Sequence, residues 1–286
     1  MIKAGIATLG LLLAGTSLLQ AQMKRERVIQ ERPVEDTFLA GSITGMSTVE
    51  NLPKNNMTSV VMHNFGLVSG GIDSFYGLDE GAAVRLGIDY GITDTFSMGI
   101  GRTSEENTVD FRFKYNLLRQ LSSDRIPVSV ALKGDLGINT SEEPRFDFTF
   151  TERLNYLGSV MVARKFSDQF SLQLAPMVSH FNTVIQEDAN KDLKNTLYAV
   201  GIGGRLKVSK RNAFIFEYIP VVGDRNSGTR NHASLGFEID TGGHVFQMFF
   251  MSGQWFTEQH LIARTNTDIS ALDFRFGFNI NRVFSL

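Results

Sequence analysis

Residues 81–117, GAAVRLGIDYGITDTFSMGIGRTSEENTVDFRFKYNL, decide the fold. Three consecutive runs in this stretch place an apolar residue at every second position, with small or charged residues between them. The apolar sets are Val84, Leu86, Ile88 and Tyr90, then Phe96, Met98 and Ile100, then Val109, Phe111, Phe113, Tyr115 and Leu117. A period of two is that of a β-strand with one apolar and one polar face, whereas a helix repeats every 3.6 residues. The stretch therefore predicts three successive strands.

The composition of the 286-residue chain favours many short strands. It has 27 glycines and 23 phenylalanines, but one tryptophan, six prolines and no cysteine. Glycine is typical of tight turns, and phenylalanine favours strands. Lysine and arginine number 28 against 30 aspartate and glutamate residues. This balance does not indicate a nucleic-acid partner, and the lack of cysteine excludes disulfides.

Two segments precede the strands. Residues 1–22 contain a lone Lys3 and a long apolar run, which is typical of a signal peptide. We therefore expect the mature chain to be exported. Residues 23–56 are rich in charge and have no apolar period, so we predict a mostly irregular periplasmic arm. Insertion of this segment into a cavity is the alternative. Residues 57–286 are predicted to form the main domain.

About twelve strand-like runs follow in this main domain. Their approximate ranges are 57–66, 81–91, 96–103, 107–118, 126–138, 152–166, 170–181, 196–208, 213–222, 231–240, 244–252 and 272–284. Tight turns at 93–95, 167–169, 209–211 and 241–243 join even-numbered strands to odd-numbered ones. Long polar loops fall mainly at the other junctions. Outer-membrane barrels have this asymmetry, with short periplasmic turns and long external loops. We therefore predict an all-β fold, an up-and-down antiparallel transmembrane β-barrel, with the N-terminal arm and the C-terminus in the periplasm.

The polar face of the strands indicates which side meets lipid. It contains many small residues, such as Gly87, Gly101, Gly201 and Gly203, which water-exposed strands usually avoid. A barrel of twelve strands is also too wide for side chains to fill. The apolar face is therefore predicted to meet lipid through Val84, Leu86, Ile88, Phe111, Phe113, Phe274, Phe276 and Phe278. The predicted lumen residues are Arg85, Asp89, Asp110, Arg112, Lys114, Lys133, Asp135, Arg205, Lys207, Glu238 and Arg275. The runs at 152–166 and 244–252 are apolar on both faces, and alternation does not orient them.

The predicted lumen carries both signs of charge. This mixture suits an ion-paired or plugged interior, which we favour, and a narrow water-filled path is the alternative. An enzyme is not expected, because the sequence has no Gly-x-Ser-x-Gly motif and no pair of histidines at zinc-site spacing. We assign no catalytic, cofactor-binding or metal-binding residue. Trp255 and Phe256 open a long external loop, where we expect them to anchor the chain at the membrane interface. A binding or interface site in this loop is the alternative.

Several phrases resemble a known family. They include residues 49–54 (VENLPK), 63–66 (HNFG), 85–94 (RLGIDYGITD), 163–166 (ARKF) and 243–247 (GHVFQ). The chain resembles an uncharacterised family of exported β-barrel proteins from Bacteroidota, classed as a domain of unknown function. The resemblance covers roughly residue 47 to the C-terminus and implies an outer-membrane barrel without a known activity. One departure is Asn64, where the resemblance leads us to expect arginine.

The sequence leaves two functions open. The first is a passive small-solute pore or transport-related barrel. The alternative is a structural or accessory barrel of an envelope complex, with a closed lumen and a bound protein partner. Either would contact the lipid bilayer and the outer-membrane assembly machinery, which commonly recognises a C-terminal strand with an aromatic residue such as Phe284 near its end.

Overall fold

The three runs of residues 81–117 form three neighbouring antiparallel strands, as their alternation predicts. The structure is a computed structural model that describes residues 31–185 and 193–286. The predicted signal peptide and residues 23–30 lie outside the described residues. The strands are β1 Asn56–Leu67, β2 Ala83–Gly91, β3 Phe96–Thr103, β4 Val109–Leu118, β5 Ser129–Ile138, β6 Leu154–Lys165, β7 Phe170–Phe181, β8 Thr196–Lys207, β9 Asn212–Ile219, β10 His232–Asp240, β11 His244–Met251 and β12 Arg275–Ser285.

These strands close into an antiparallel barrel of twelve strands. Each strand pairs with its neighbours in the sequence, and β1 pairs with β12 from Asn56↔Ser285 to Asn64↔Gly277. Pro220 interrupts the ninth strand, which resumes at Val221–Val222 against β8. The interruption is expected, because proline has no backbone N–H to donate. The predicted fold class is confirmed, and the largest difference in a strand start is three residues, at β5 and β12.

The two ends of the barrel differ in their connections. The tight turns lie at one end, called the short-turn end, together with the first residue of β1 and the last of β12. The other end, called the long-loop end, carries the 3-10 turns Val68–Ser74, Glu105–Asn107, Thr151–Arg153 and Ile269–Ala271 and the helix α1, Glu258–Arg264. Within the described ranges, no helix is long and apolar enough to cross a membrane.

Alternation places the apolar side chains of β2 outside and its charged ones inside. Leu86 is 57% exposed on the outer surface, whereas Arg85 is fully buried in the interior. The structure also orients the two strands that alternation could not. In β6, Met161 points inward and Val160 outward, and in β11, Phe249 points inward. Both strands therefore present apolar side chains to the interior as well as to the outside.

Two segments that belong to no strand fill this interior. The first is residues 37–50, called the plug, in which Phe38, Ile43, Met46 and Val49 belong to the buried apolar core. The second is the connection 252–274 between β11 and β12, called the inner loop, which carries α1. The two segments supply much of the apolar core of the protein.

The plug lies within residues 23–56, which were predicted to form a periplasmic arm, and its position differs from that prediction. The described part of that segment is irregular, as expected, but residues 37–50 lie inside the barrel and are mostly buried. The alternative of a segment inserted in a cavity therefore applies to them. The charges that indicated a solvated arm are concentrated before residue 37, and the apolar residues of the plug follow at 38–49.

Candidate functional site

The plug is a small hairpin that enters and leaves the barrel at the short-turn end. Val34 N–H donates to Gln120 O at the entry, and Lys54 N–H donates to the turn residue Asp94 at the exit. Between these points, Ile43 N–H donates to Met46 O at 2.8 Å, and Thr48 N–H donates to Gly41 O at 3.0 Å. These bonds close a tight turn whose tip is residues 44–46.

The carboxylate of Glu217 on β9 binds this tip. It accepts hydrogen bonds from the backbone N–H groups of Thr44, Gly45 and Met46, each at 3.0 Å. His232 Nε2 lies 2.9 Å from the same carboxylate. A buried carboxylate is costly unless hydrogen bonds replace its water. Four donors supply that replacement here, and three of them belong to the plug.

The proton on His232 can be assigned from its other neighbour. Gly253 N–H lies 3.1 Å from His232 Nδ1, and a backbone N–H can only donate. Nδ1 is therefore the acceptor, and the proton of the neutral ring is on Nε2, from which it is donated to Glu217. This assignment joins the inner loop at Gly253 to the tip of the plug.

Other wall residues also bind the backbone of the plug. Gln173 accepts from Val49 N–H at 2.8 Å and donates to Ser47 O at 2.7 Å. Asn279 donates to Thr44 O at 2.8 Å, and Gln247 donates to Ser42 O. Lys114 Nζ donates to the carbonyls of Thr48 and Glu50 at 3.1 and 2.6 Å. Because these bonds satisfy its backbone groups, the plug can lie in the interior without joining the sheet.

Glycines in β8 make room for the apolar side of the plug. A Cβ atom built on Gly203 would overlap the side chains of Ile43 and Met46, and one built on Gly201 would overlap Met46. The small residues on the inner face of β8 therefore contact protein.

The inner loop fills the interior from the long-loop end. Residues 255–263 are buried, and Asn64 Nδ2 donates to Gln254 O at 2.8 Å near the start of the loop. The ring of Trp255 stacks on His260 at 4.4 Å, and the rings of Phe181 and His260 meet edge-on at 5.0 Å.

Trp255 and Phe256 were expected to anchor the chain at the membrane interface, and that expectation is wrong. Only 8% of Trp255 and none of Phe256 is exposed. The loop folds into the lumen because α1 is apolar at Leu261, Ile262 and Ala263, which are all buried, and this apolar surface is stabilised by leaving water.

Burial and nearby charges determine the protonation of the inner loop. It lowers the pKa of His260 to about 3, so this ring is neutral at pH 7. Burial also lowers the pKa of Arg264 to about 10. Burial alone would raise the pKa of Glu258, but nearby Lys133 and Arg112 outweigh it and keep that pKa below its ordinary value. Glu258 is therefore a carboxylate. It pairs with Lys133 and accepts from Ser47 N–H at 2.8 Å.

All of the predicted lumen residues belong to the inner face, and most of them are paired. Arg85 binds Asp110 through two hydrogen bonds of 2.9 and 2.5 Å, and Arg112 reaches the same carboxylate at 3.1 Å. Two further ion pairs are Lys133 with Asp135 at 2.8 Å and Arg205 with Glu238 at 2.7 Å. Lys114 of β4 binds the plug, Arg275 lies beside Gln254, and Asp89 lines a cavity at the short-turn end. Lys207 lies two residues after Arg205, at the end of β8 and on the same face.

The predicted lipid-facing residues lie on the outer face. Leu86, Ile88 and Phe113 are exposed there, while Val84, Phe111, Phe274, Phe276 and Phe278 are partly covered by neighbouring outer side chains. Phe278 stacks on His63, for example, and Phe276 on Phe65.

Open space remains on either side of the contact between plug and inner loop. A cavity of about 330 Å³ at the short-turn end is lined by Phe38, Leu52, Asp89 and Lys114 among others. A second cavity, of about 340 Å³, lies at the long-loop end beside Phe181 and Arg264. Among the described residues, no group of three or more His, Asp or Glu side chains is placed to hold a metal ion.

The sequence predictions missed the residues that hold the plug, chiefly Gln173, Glu217, His232 and Glu258. One signal was available for Glu217. Its position in the alternation puts it on the inner face with Ala213, Ile215 and Ile219. A lone carboxylate on such an apolar face requires a hydrogen-bonding partner from elsewhere in the chain.

The fold is similar to that of solved outer-membrane proteins. The NanC porin matches 81% of this chain and 98% of its own, with 8% sequence identity and a TM-score of 0.50. An outer-membrane channel from Pseudomonas putida F1 matches 82% of this chain and 98% of its own, with 14% identity and a TM-score of 0.46. The toluene transporter TbuX of Ralstonia pickettii matches 81% and 89%, with 8% identity and a TM-score of 0.34. No curated protein matches the chain.

A family model described as a membrane bound beta barrel domain, DUF5777, matches residues 38–284. The match begins at Phe38, so the matched region includes most of the plug as well as the barrel. The resemblance to a barrel family of unknown function is confirmed, while the origin from Bacteroidota stays a prediction. The chain belongs to the DUF5777 family of membrane bound beta barrel domains.

Proposed function

We propose that the protein is an outer-membrane transport barrel for small solutes, closed at rest by its own plug. One observation carries the proposal: the plug is bound to the wall through side chains and contributes no residue to a strand. It can therefore leave the lumen while every strand pair stays intact. The predicted passive pore is refined to a pore that conducts when the plug is displaced.

The proposed function implies an orientation of the barrel in the outer membrane. Short turns face the periplasm in outer-membrane barrels, and long loops face outward. On this basis the plug enters from the periplasm and the inner loop folds in from the cell exterior. The proposal includes no catalytic role.

The first test weakens the bond between the plug and the wall. Glu217→Gln removes the charge that four donors share, and its amide N–H₂ faces N–H groups that it cannot accept from. Charge-assisted hydrogen bonds contribute about 1.5–3 kcal/mol each. We therefore expect the plug of the variant to spend a much larger fraction of the time outside the lumen. Single-channel recording in planar bilayers should show brief openings for the wild type and long ones for the variant.

A reversible lock supplies the control. Thr44 Oγ1 at the plug tip lies 2.6 Å from Ser234 Oγ on β10, and the chain has no cysteine of its own. In the Glu217→Gln background, Thr44→Cys with Ser234→Cys should close the channel on oxidation and reopen it on reduction. Thr44→Cys alone should not respond to the reductant.

The alternative function is an accessory barrel that never opens. It is supported by the filling of the lumen from both ends, by the plug and by the inner loop. It predicts silence from Glu217→Gln and from a variant lacking residues 37–50, together with a stoichiometric protein partner on purification. That combination of results would overturn the transport proposal.

A further inference from the structure

The tip of the plug is held between the barrel wall and the inner loop, although the two segments enter from opposite ends. The wall contributes Glu217, which binds the tip. The helix α1 contributes Leu261, which packs against Gly45, and Glu258, which binds Ser47 just after the tip. Three separate contacts join the plug to the inner loop, and all three are buried.

The first contact is electrostatic. Glu258 Oε1 accepts from Ser47 N–H at 2.8 Å, while Oε2 pairs with Lys133 of β5. Glu258 is 1% exposed and Ser47 is 3% exposed. If α1 moves outward, the Ser47 N–H loses its acceptor in a dry site, which is costly.

The second contact passes through His232. Gly253 N–H donates to Nδ1, and Nε2–H donates to Glu217, which in turn accepts from the tip. Hydrogen bonds in such a chain polarise one another. Loss of the Gly253 donor therefore weakens the bond from His232 to the carboxylate that holds the plug.

The third contact is steric. A Cβ atom on Gly45 would lie 2.7 Å from Leu261 Cδ1, closer than carbon atoms approach. The tip of the plug and α1 are thus packed directly against each other, and neither can shift far without the other.

We infer that the inner loop is the element that releases the plug. Outward movement of residues 252–264 would remove the acceptor of Ser47, the donor to His232 and the packing on Gly45 together. The inference rests on the proposed function for its role in gating, but the coupling itself is a property of the two segments. Because coupling between two elements is reciprocal, displacement of the plug must loosen α1 to the same extent.

The test uses the full-length chain in lipid vesicles, with Thr44→Cys as the only thiol. We measure the rate at which a water-soluble maleimide modifies it. Leu261→Ala should raise the rate at least tenfold, since it removes the packing on Gly45. Leu272→Ala is the matched control, because Leu272 lies in the same loop but is 68% exposed. Its rate should equal that of the parent.

The reciprocal experiment places the thiol in α1. Gly45→Ala in the plug should accelerate the modification of Ala263→Cys, and heat-modifiable electrophoretic mobility verifies that each barrel is folded. The inference would be overturned if Leu261→Ala and Gly45→Ala both left the rate of maleimide modification unchanged. It would also be overturned if Leu272→Ala accelerated modification as much as Leu261→Ala. Faster modification with no conductance would support the coupling and contradict the transport proposal.

Discussion

The fold disfavours protonation of His260, which is buried in the inner loop. Its ring contacts Trp255 and Phe181, and burial lowers its pKa to about 3. In the unfolded chain the pKa of histidine is about 6.5. Between these values the unfolded state binds more protons than the folded state, so stability falls as the pH falls.

We therefore expect the free energy of unfolding of the wild type to fall about 2 kcal/mol more than that of His260→Phe between pH 7 and pH 5. Phenylalanine keeps the stacking on Trp255 without a titratable nitrogen. Trp255 is the one tryptophan of the chain, so its fluorescence follows unfolding at this site. His244→Phe makes the same change at the short-turn end and controls for the loss of a histidine elsewhere in the chain. Equal pH dependence in all three proteins would contradict the prediction.

At the scale of elements, the plug depends on the shape of the inner face of β8. Gly203→Val adds a β-branched side chain that suits a strand but occupies the place of Ile43 and Met46. We expect the barrel to fold and the plug to be expelled, which single-channel recording would detect as a larger open fraction. Gly243→Ala is the control, because nothing lies within 4 Å of a Cβ atom there. A silent, folded Gly203→Val barrel would contradict this role of Gly203.

The elements differ in how far the sequence predicts them. Strands such as β2 and β4 were predicted because their alternation is local and repeats over several residues. The plug and α1 are short and have no such repeat, and their positions depend on contacts between distant residues, such as Thr44 and Glu217. The apolar inner faces of β6 and β11 are the sequence feature from which a filled lumen could have been predicted. Met161 and Phe249 are apolar inner residues, and such residues indicate a lumen filled by protein and not by water.

At the scale of the whole molecule, the proposed orientation in the membrane predicts which end of the barrel is accessible from outside the cell. Asp168 lies in a tight turn at the short-turn end, and Ser270 lies in the inner loop at the long-loop end, and both are exposed. With Cys introduced at one position at a time, a membrane-impermeant maleimide added to intact cells should label Ser270→Cys and spare Asp168→Cys. Broken cells should label both. The reverse pattern would place the plug entrance outside the cell.

The bond between Glu217 and the plug has a consequence for inhibitors and for sequence divergence. The carboxylate binds main-chain N–H groups, so it selects a backbone turn and not particular side chains. Among related barrels, we expect the turn to be kept and position 45 to remain glycine, since there is no room for a Cβ atom there. Because the carboxylate binds main-chain groups, a free peptide that forms this turn would compete for Glu217, whatever its flanking sequence.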